Sequence, residues 1–135
     1  MDAPTCKVIR PGEAYQGRQG LTYFAGLTGT SAGSQAICMT LVSLPPGARA
    51  KTHLHHGIET AAYLIEGEAE MYFGARLGER LVARAGEYIY IPADTAHLVI
   101  NRSDAICRAI VAHTSADDQD GIVLLPELDE VVPST

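Results

Sequence analysis

Apolar residues along this chain fall in short runs, and no segment keeps them at helical spacing for three turns. Eight runs rich in β-branched, aromatic and small apolar residues stand out, at 21–27, 37–44, 61–65, 69–73, 80–83, 88–91, 96–100 and 106–113. Between them lie Pro45-Pro46-Gly47, Glu66-Gly67-Glu68, residues 74–78, Ala85-Gly86 and Pro92-Ala93-Asp94, each containing residues that stop or turn a strand. Short strands at this spacing predict an all-β chain of six to eight antiparallel strands, closed as a barrel or sandwich. The glycine-rich stretch at 26–33 lacks a phosphate-loop lysine and the order of a dinucleotide fingerprint, so it reads as a flexible loop.

Length sharpens this to one domain over 1–135, since a chain of this size builds one core. A hydrophobic fraction of 47% and a charged fraction of 19% are those of an ordinary globular protein. No run of twenty apolar residues is available for a membrane span, and residues 1–20 scatter charges among glycines rather than forming the apolar core of a signal peptide, so a cytoplasmic location is expected. The net charge of -6 supplies no basic stripe for phosphates, which argues against nucleic acid and anionic membranes and favours a small-molecule partner. Cys6, Cys38 and Cys107 are odd in number and widely spaced, and read as reduced, inert thiols. The segment 117–135 begins with acidic residues and turns apolar at 122–125 and 131–132, which predicts packing on the barrel or on a second subunit. Exposed sheet edges and this tail together predict a homodimer.

Four of the five histidines lie at positions 53, 55, 56 and 97. On a strand, side chains two apart share a face, so His53 and His55 project together while Leu54 and His56 face away. Glu59 follows after a short turn, and His97 opens a strand after the turn at Pro92. A mixed nitrogen and oxygen set of this kind suits a divalent transition metal, whether iron, manganese, nickel, cobalt, copper or zinc. His113, at the end of an apolar run, reads as packing. Tyr63, Met39, Met71, Tyr88 and Tyr90 are candidate cavity residues, and the Tyr63 hydroxyl is the candidate acid or substrate contact.

The run GARAKTHLHHGIE at 47–59, closed by Gly67, resembles the first cupin motif, and GEYIYIPADTAHLVIN at 86–101 resembles the second. The resemblance implies a cupin barrel (a double-stranded β-helix, or jelly roll) holding one metal on His53, His55, Glu59 and His97. Two departures stand out. Seven residues separate Glu59 from Gly67 where cupins often have six; Thr60 satisfies that spacing, and a one-residue slip would turn Glu59 outward and leave a three-histidine site. Asp94 occupies a place where the motif usually has glycine, and aspartate tolerates the left-handed conformation a turn requires. The resemblance further implies a metal-dependent enzyme acting on a small oxygen-rich molecule, by dioxygenase, isomerase or lyase chemistry. The alternative is a non-catalytic metal- or ligand-binding module. Metal-free sugar-nucleotide epimerases share the barrel, but they use a histidine base rather than a full ligand set.

Overall fold

The computed structural model describes residues 3–133. Eleven strands form in chain order: β1 (Ala14–Gln16), β2 (Thr22–Leu27), β3 (Cys38–Leu44), β4 (His53–His55), β5 (Thr60–Glu66), β6 (Glu68–Phe73), β7 (Glu79–Arg84), β8 (Tyr88–Ile91), β9 (His97–Ile100), β10 (Cys107–His113) and β11 (Ile122–Leu124). One turn of helix, α1 (Gly29–Ala32), follows β2, and a 3-10 turn spans Pro126–Leu128. The count exceeds the six to eight strands expected by three short ones, β1, β4 and β11, each only three residues long.

Every pairing is antiparallel, in a six-stranded sheet ordered β1-β2-β3-β10-β5-β8 and a five-stranded sheet ordered β11-β4-β9-β6-β7. The two sheets face each other as a jelly roll. The inward residues of alternating strands fill the gap: Leu21, Tyr23, Val42, Leu44, Leu64 and Ala109 belong to one continuous buried cluster. A second cluster, of Leu77, Ala96, Leu98, Ile100, Leu128 and Val132, seats the C-terminal segment on the outside of the five-stranded sheet. Arg49 reinforces that seat by donating to the carbonyl oxygens of Asp129 and, at 3.0 Å, Val132. No helix among the described residues is long and apolar enough to cross a membrane.

Two local features set the face each strand presents. The register of β5 on β10 shifts between Arg108 and Ala109, so Ile65 is bulged out between Leu64 and Glu66. The chain then turns at Gly67, whose φ is 78°. A Cβ there would lie 2.4 Å from the Ile106 carbonyl oxygen, so the position is restricted to glycine by both conformation and space. At the other motif, Asp94 adopts φ 61°, the left-handed conformation expected of it. Its carboxylate accepts from the Gly57 backbone at 3.2 Å and meets His56 Nδ1 at 2.8 Å, while its own N–H donates to the His55 carbonyl. The turn that launches β9 is thereby tied to the end of β4.

Candidate metal centre

β4 and β9 are neighbours in the five-stranded sheet, and His53 lies directly opposite His97 in their register. Strand alternation places His55 on the same inward face, with Leu54 turned away. All three imidazoles are buried, at 3–4% exposure. Their ring centroids lie 4.3 Å (His53 to His97), 5.1 Å (His53 to His55) and 6.1 Å (His55 to His97) apart. One nitrogen from each falls within 4.8 Å of the other two, the only such group of three or more ligating residues among those described.

Backbone carbonyls determine which nitrogen is available. His53 Nδ1 lies 2.8 Å from the Lys51 oxygen and His97 Nδ1 lies 2.9 Å from the Thr95 oxygen. A carbonyl only accepts, so both Nδ1 atoms carry the proton and both Nε2 lone pairs are left for a ligand. His55 Nδ1 is buried without a hydrogen-bond partner of normal geometry. An orphaned nitrogen of this kind costs about 1–3 kcal/mol, which coordination or a bound ligand would offset. Burial also keeps the group neutral. It holds His97 down at about 4, pushes His53 well below the ordinary histidine value with a further contribution from His97, and lowers His55 against partial opposition from the Asp120 backbone. Two lone pairs fixed toward one point and three rings kept unprotonated fit a divalent transition metal of imidazole preference.

The structure departs from expectation at Glu59, which is exposed and stands outside the histidine group. Its backbone is held by Thr114, whose hydroxyl accepts from the Glu59 N–H at 3.0 Å and whose N–H donates to the Glu59 carbonyl. The inward place belongs to Thr60, followed by Ala62 and Leu64 on the same face. Six residues separate Thr60 from Gly67, so strand parity follows the spacing to the glycine rather than the carboxylate.

Tyr63 is corrected for the same reason. It alternates with Ala62 and Leu64, points outward at 38% exposure and packs on Tyr88 with ring centroids 4.9 Å apart. Met39, Tyr88 and Tyr90 are also outward and exposed, and of the candidate cavity residues only Met71 lines the interior. His56 sits on the outer face against Asp94. Cys38 and Cys107 are buried thiols whose pKa burial pushes up, to about 11 for Cys38, as inert thiols should be.

His113, read as packing, turns out to face the histidines. It ends β10 with 5% exposure, its ring 4.6 Å from that of His55 and its Nδ1 2.8 Å from Thr60 Oγ1. Burial lowers its pKa to about 4. A sequence signal existed: His113 shares strand parity with Cys107, Ala109 and Val111, all inward. The cavity enclosed by these groups has a volume of about 90 Å³. Its walls are otherwise apolar, apart from Gln19, the Tyr23 phenol and the Cys107 thiol, and carry no carboxylate, lysine or arginine.

A sequence model described as the cupin domain matches residues 40–113. Among solved structures, oxalate decarboxylase from Bacillus subtilis at pH 4.6 shares 27% identity at a TM-score of 0.66, over 86% of this chain and 29% of that one. Another structure of that enzyme, at 26% identity and a TM-score of 0.66 over 82% of this chain and 30% of that one, concerns its Mn(II) centres. An oxalate oxidase in complex with the substrate analogue glycolate is 23% identical, with a TM-score of 0.68 over 81% of this chain and 57% of that one, a likeness of fold. The chain thus spans less than two thirds of the length of these proteins. No curated protein matches it.

Proposed function

Because the chain belongs to the cupin domain family, with residues 40–113 matched, we propose that it is a metal-dependent enzyme acting on a small, oxygen-rich organic acid. The observation that carries this reading is the trio His53, His55 and His97, buried at the wall of a largely apolar cavity with the Nε2 atoms of His53 and His97 released by backbone carbonyls. These residues would hold one divalent transition metal. When bound, it would supply a Lewis acid for a chelating oxygen.

The protein's own contribution is exclusion and charge. A cavity of about 90 Å³ admits only a few heavy atoms beside an ion. Its apolar walls exclude bulk water and strengthen every polar contact inside. With no carboxylate among the lining residues, neutral imidazoles leave the charge of the ion uncompensated, which favours an anionic ligand. Small carboxylic acids meet both demands, and the oxalate-named enzymes of similar fold agree with that class. An all-imidazole set suits iron, cobalt, nickel, copper or zinc better than the hard manganese ion. A second reading, a ligand-binding module without turnover, is favoured by one observation: no carboxylate or lysine lines the cavity, which leaves His113 and the Tyr23 phenol as the candidate general acids or bases outside the three-histidine group.

The test is metal analysis of protein purified without added metal, followed by oxygen-uptake and carbon dioxide-release assays on two- to four-carbon carboxylic acids. One transition metal per chain and turnover of at least one acid is the expected result. Metal without turnover, but with acid binding, would select the module. A folded wild-type chain that takes up no transition metal would refute both.

A further inference from the structure

We infer that His113 and Thr60 form a ligand-binding pair that donates a hydrogen bond to an oxygen of a small carboxylate held at the metal centre. The inference rests on the metal reading above and concerns residues on the opposite wall. The three histidines belong to the five-stranded sheet, whereas Thr60 and His113 face each other in the register of β5 and β10 within the six-stranded sheet. The cavity lies between them, so a molecule bound to the histidine group has this pair as its polar neighbour.

Beyond the three histidines, the side chains with nitrogen or oxygen lining the cavity are Gln19, Tyr23, Thr60 and His113. Gln19 Oε1 is engaged with the Gln119 amide at 3.3 Å. Thr60 and His113 are buried at 4% and 5% exposure and bonded to each other at 2.8 Å. His113 is not part of the group whose nitrogens lie within 4.8 Å, so as placed it faces the centre rather than completing it.

Hydrogen-bond satisfaction decides the direction of the pair. The Thr60 hydroxyl has no acceptor among the described residues other than His113 Nδ1. If Nδ1 carried the proton, the hydroxyl hydrogen would be left without an acceptor between the strands; with the proton on Nε2, the one unpaired donor is on the ring that lines the cavity, where a bound ligand can meet it. The hydroxyl therefore donates to Nδ1, and the proton of the neutral ring sits on Nε2, which has no protein partner among the described residues. An N–H on the wall of an apolar cavity selects an acceptor, and a carboxylate oxygen is the strongest one that fits beside an uncompensated cation. Thr60 is a positioning residue in this arrangement: it fixes the tautomer and orientation of His113 and need not touch the ligand.

The experiment uses the cobalt(II)-loaded chain with formate as the probe, following the visible cobalt spectrum during titration and measuring cobalt per chain separately. His113→Phe keeps a ring of similar size without the donor, and Thr60→Val keeps the shape of threonine without the hydroxyl. Both should retain cobalt as the wild type does while formate affinity falls about tenfold, and Thr60→Ser should restore most of it. Unchanged formate affinity in both variants would overturn the pair. Cobalt loss in His113→Phe as complete as in His53→Ala would overturn it differently, by making His113 a ligand. A wild-type chain that takes up no cobalt would sink the metal reading, and the pair with it.

Discussion

Acid should destabilise the metal-free protein well above the pH at which carboxylates titrate. His97 and His113 are buried at 3% and 5% exposure, and each is held near pKa 4 against an ordinary value of 6.5. Between those values the unfolded chain binds protons that the folded chain refuses, so stability rises with pH and is lost as pH falls from about 6.5 to about 4. At one pKa unit per ~1.4 kcal/mol, each ring accounts for roughly 3 kcal/mol over the whole window and about 2 kcal/mol by pH 5. The pair alone removes about 4 kcal/mol between pH 7 and pH 5, a large share of the 5–15 kcal/mol typical of a domain. His53 acts in the same direction.

Urea denaturation of the metal-free chain, followed by circular dichroism at pH 7, 6 and 5, measures this directly. The unfolding free energy should fall by several kcal/mol with little change in slope against urea. A His97→Gln, His113→Gln double variant should make the dependence shallower by about 4 kcal/mol between pH 7 and pH 5, because it removes two of the groups that refuse protons and leaves His53 and His55. Saturating metal should displace the loss toward lower pH, since an ion bound only by the folded state adds about 4 kcal/mol at a thousand times its dissociation constant. A wild-type unfolding free energy that stays flat from pH 7 to pH 5 without metal would refute the claim that these imidazoles are buried and neutral.

Three further outcomes are expected. His53→Ala, His55→Ala and His97→Ala should each cut metal content strongly, whereas His56→Ala and Glu59→Gln should leave it near wild type; equal losses in all five would mean the inward face of this segment is misassigned. Gly67→Ala should destabilise the fold by about 3 kcal/mol or more in urea denaturation, given φ of 78° and a Cβ 2.4 Å from the Ile106 oxygen; a loss under 1 kcal/mol would show that the turn yields. The outer face of the six-stranded sheet exposes Ile37, Met39, Tyr63, Ile65, Tyr88 and Tyr90 by 38–80%, roughly 650 Å² at about 200 Å² per large side chain, against about 800 Å² per partner in a standard interface. Sedimentation at micromolar concentration should therefore show a dimer that Tyr88→Lys dissociates, and a monomeric wild type would contradict it.

The strands that were legible in the sequence are those with an apolar run longer than about four residues, where period-two burial needs no outside help. β3 and β10 were each found to within a residue, because their seven positions alternate against one core. β1 was not, since a three-residue strand is formed by its partner, β2; β11 was legible only as the apolar stretch at 122–125 expected to pack on the barrel or a second subunit, without its pairing to the histidine strand β4. The Asp94 turn was legible because the demand on the residue is local. Glu59 was not, because its orientation depends on the turn at residues 56–58, where the His56 N–H donates to the Gly121 carbonyl some sixty residues away. For His113 the parity with Cys107, Ala109 and Val111 marked the inward face, but its polar partner Thr60 lies on another strand, and the run itself carries no sign of that pairing.

The slip from Glu59 to Thr60 changes the chemistry more than the fold. A carboxylate at the inward position would cancel one unit of the ion's charge and draw in hard metals. Threonine cancels none, and being uncharged it can be buried at 4% exposure on one hydrogen bond to His113. The surrounding wall agrees with that neutral choice: Ala62, Leu64, Val99 and Val111 line the same space, and no cation stands by to pair with a buried carboxylate. A glutamate turned inward here would sit in an apolar pocket facing an already uncharged histidine, and without a bound metal its ionised form would be held only at a penalty of several kcal/mol. Metal-free folding therefore favours the outward Glu59. An ion bound here would then present its full charge to a ligand, with three imidazoles on one sheet and the proposed donor pair on the other.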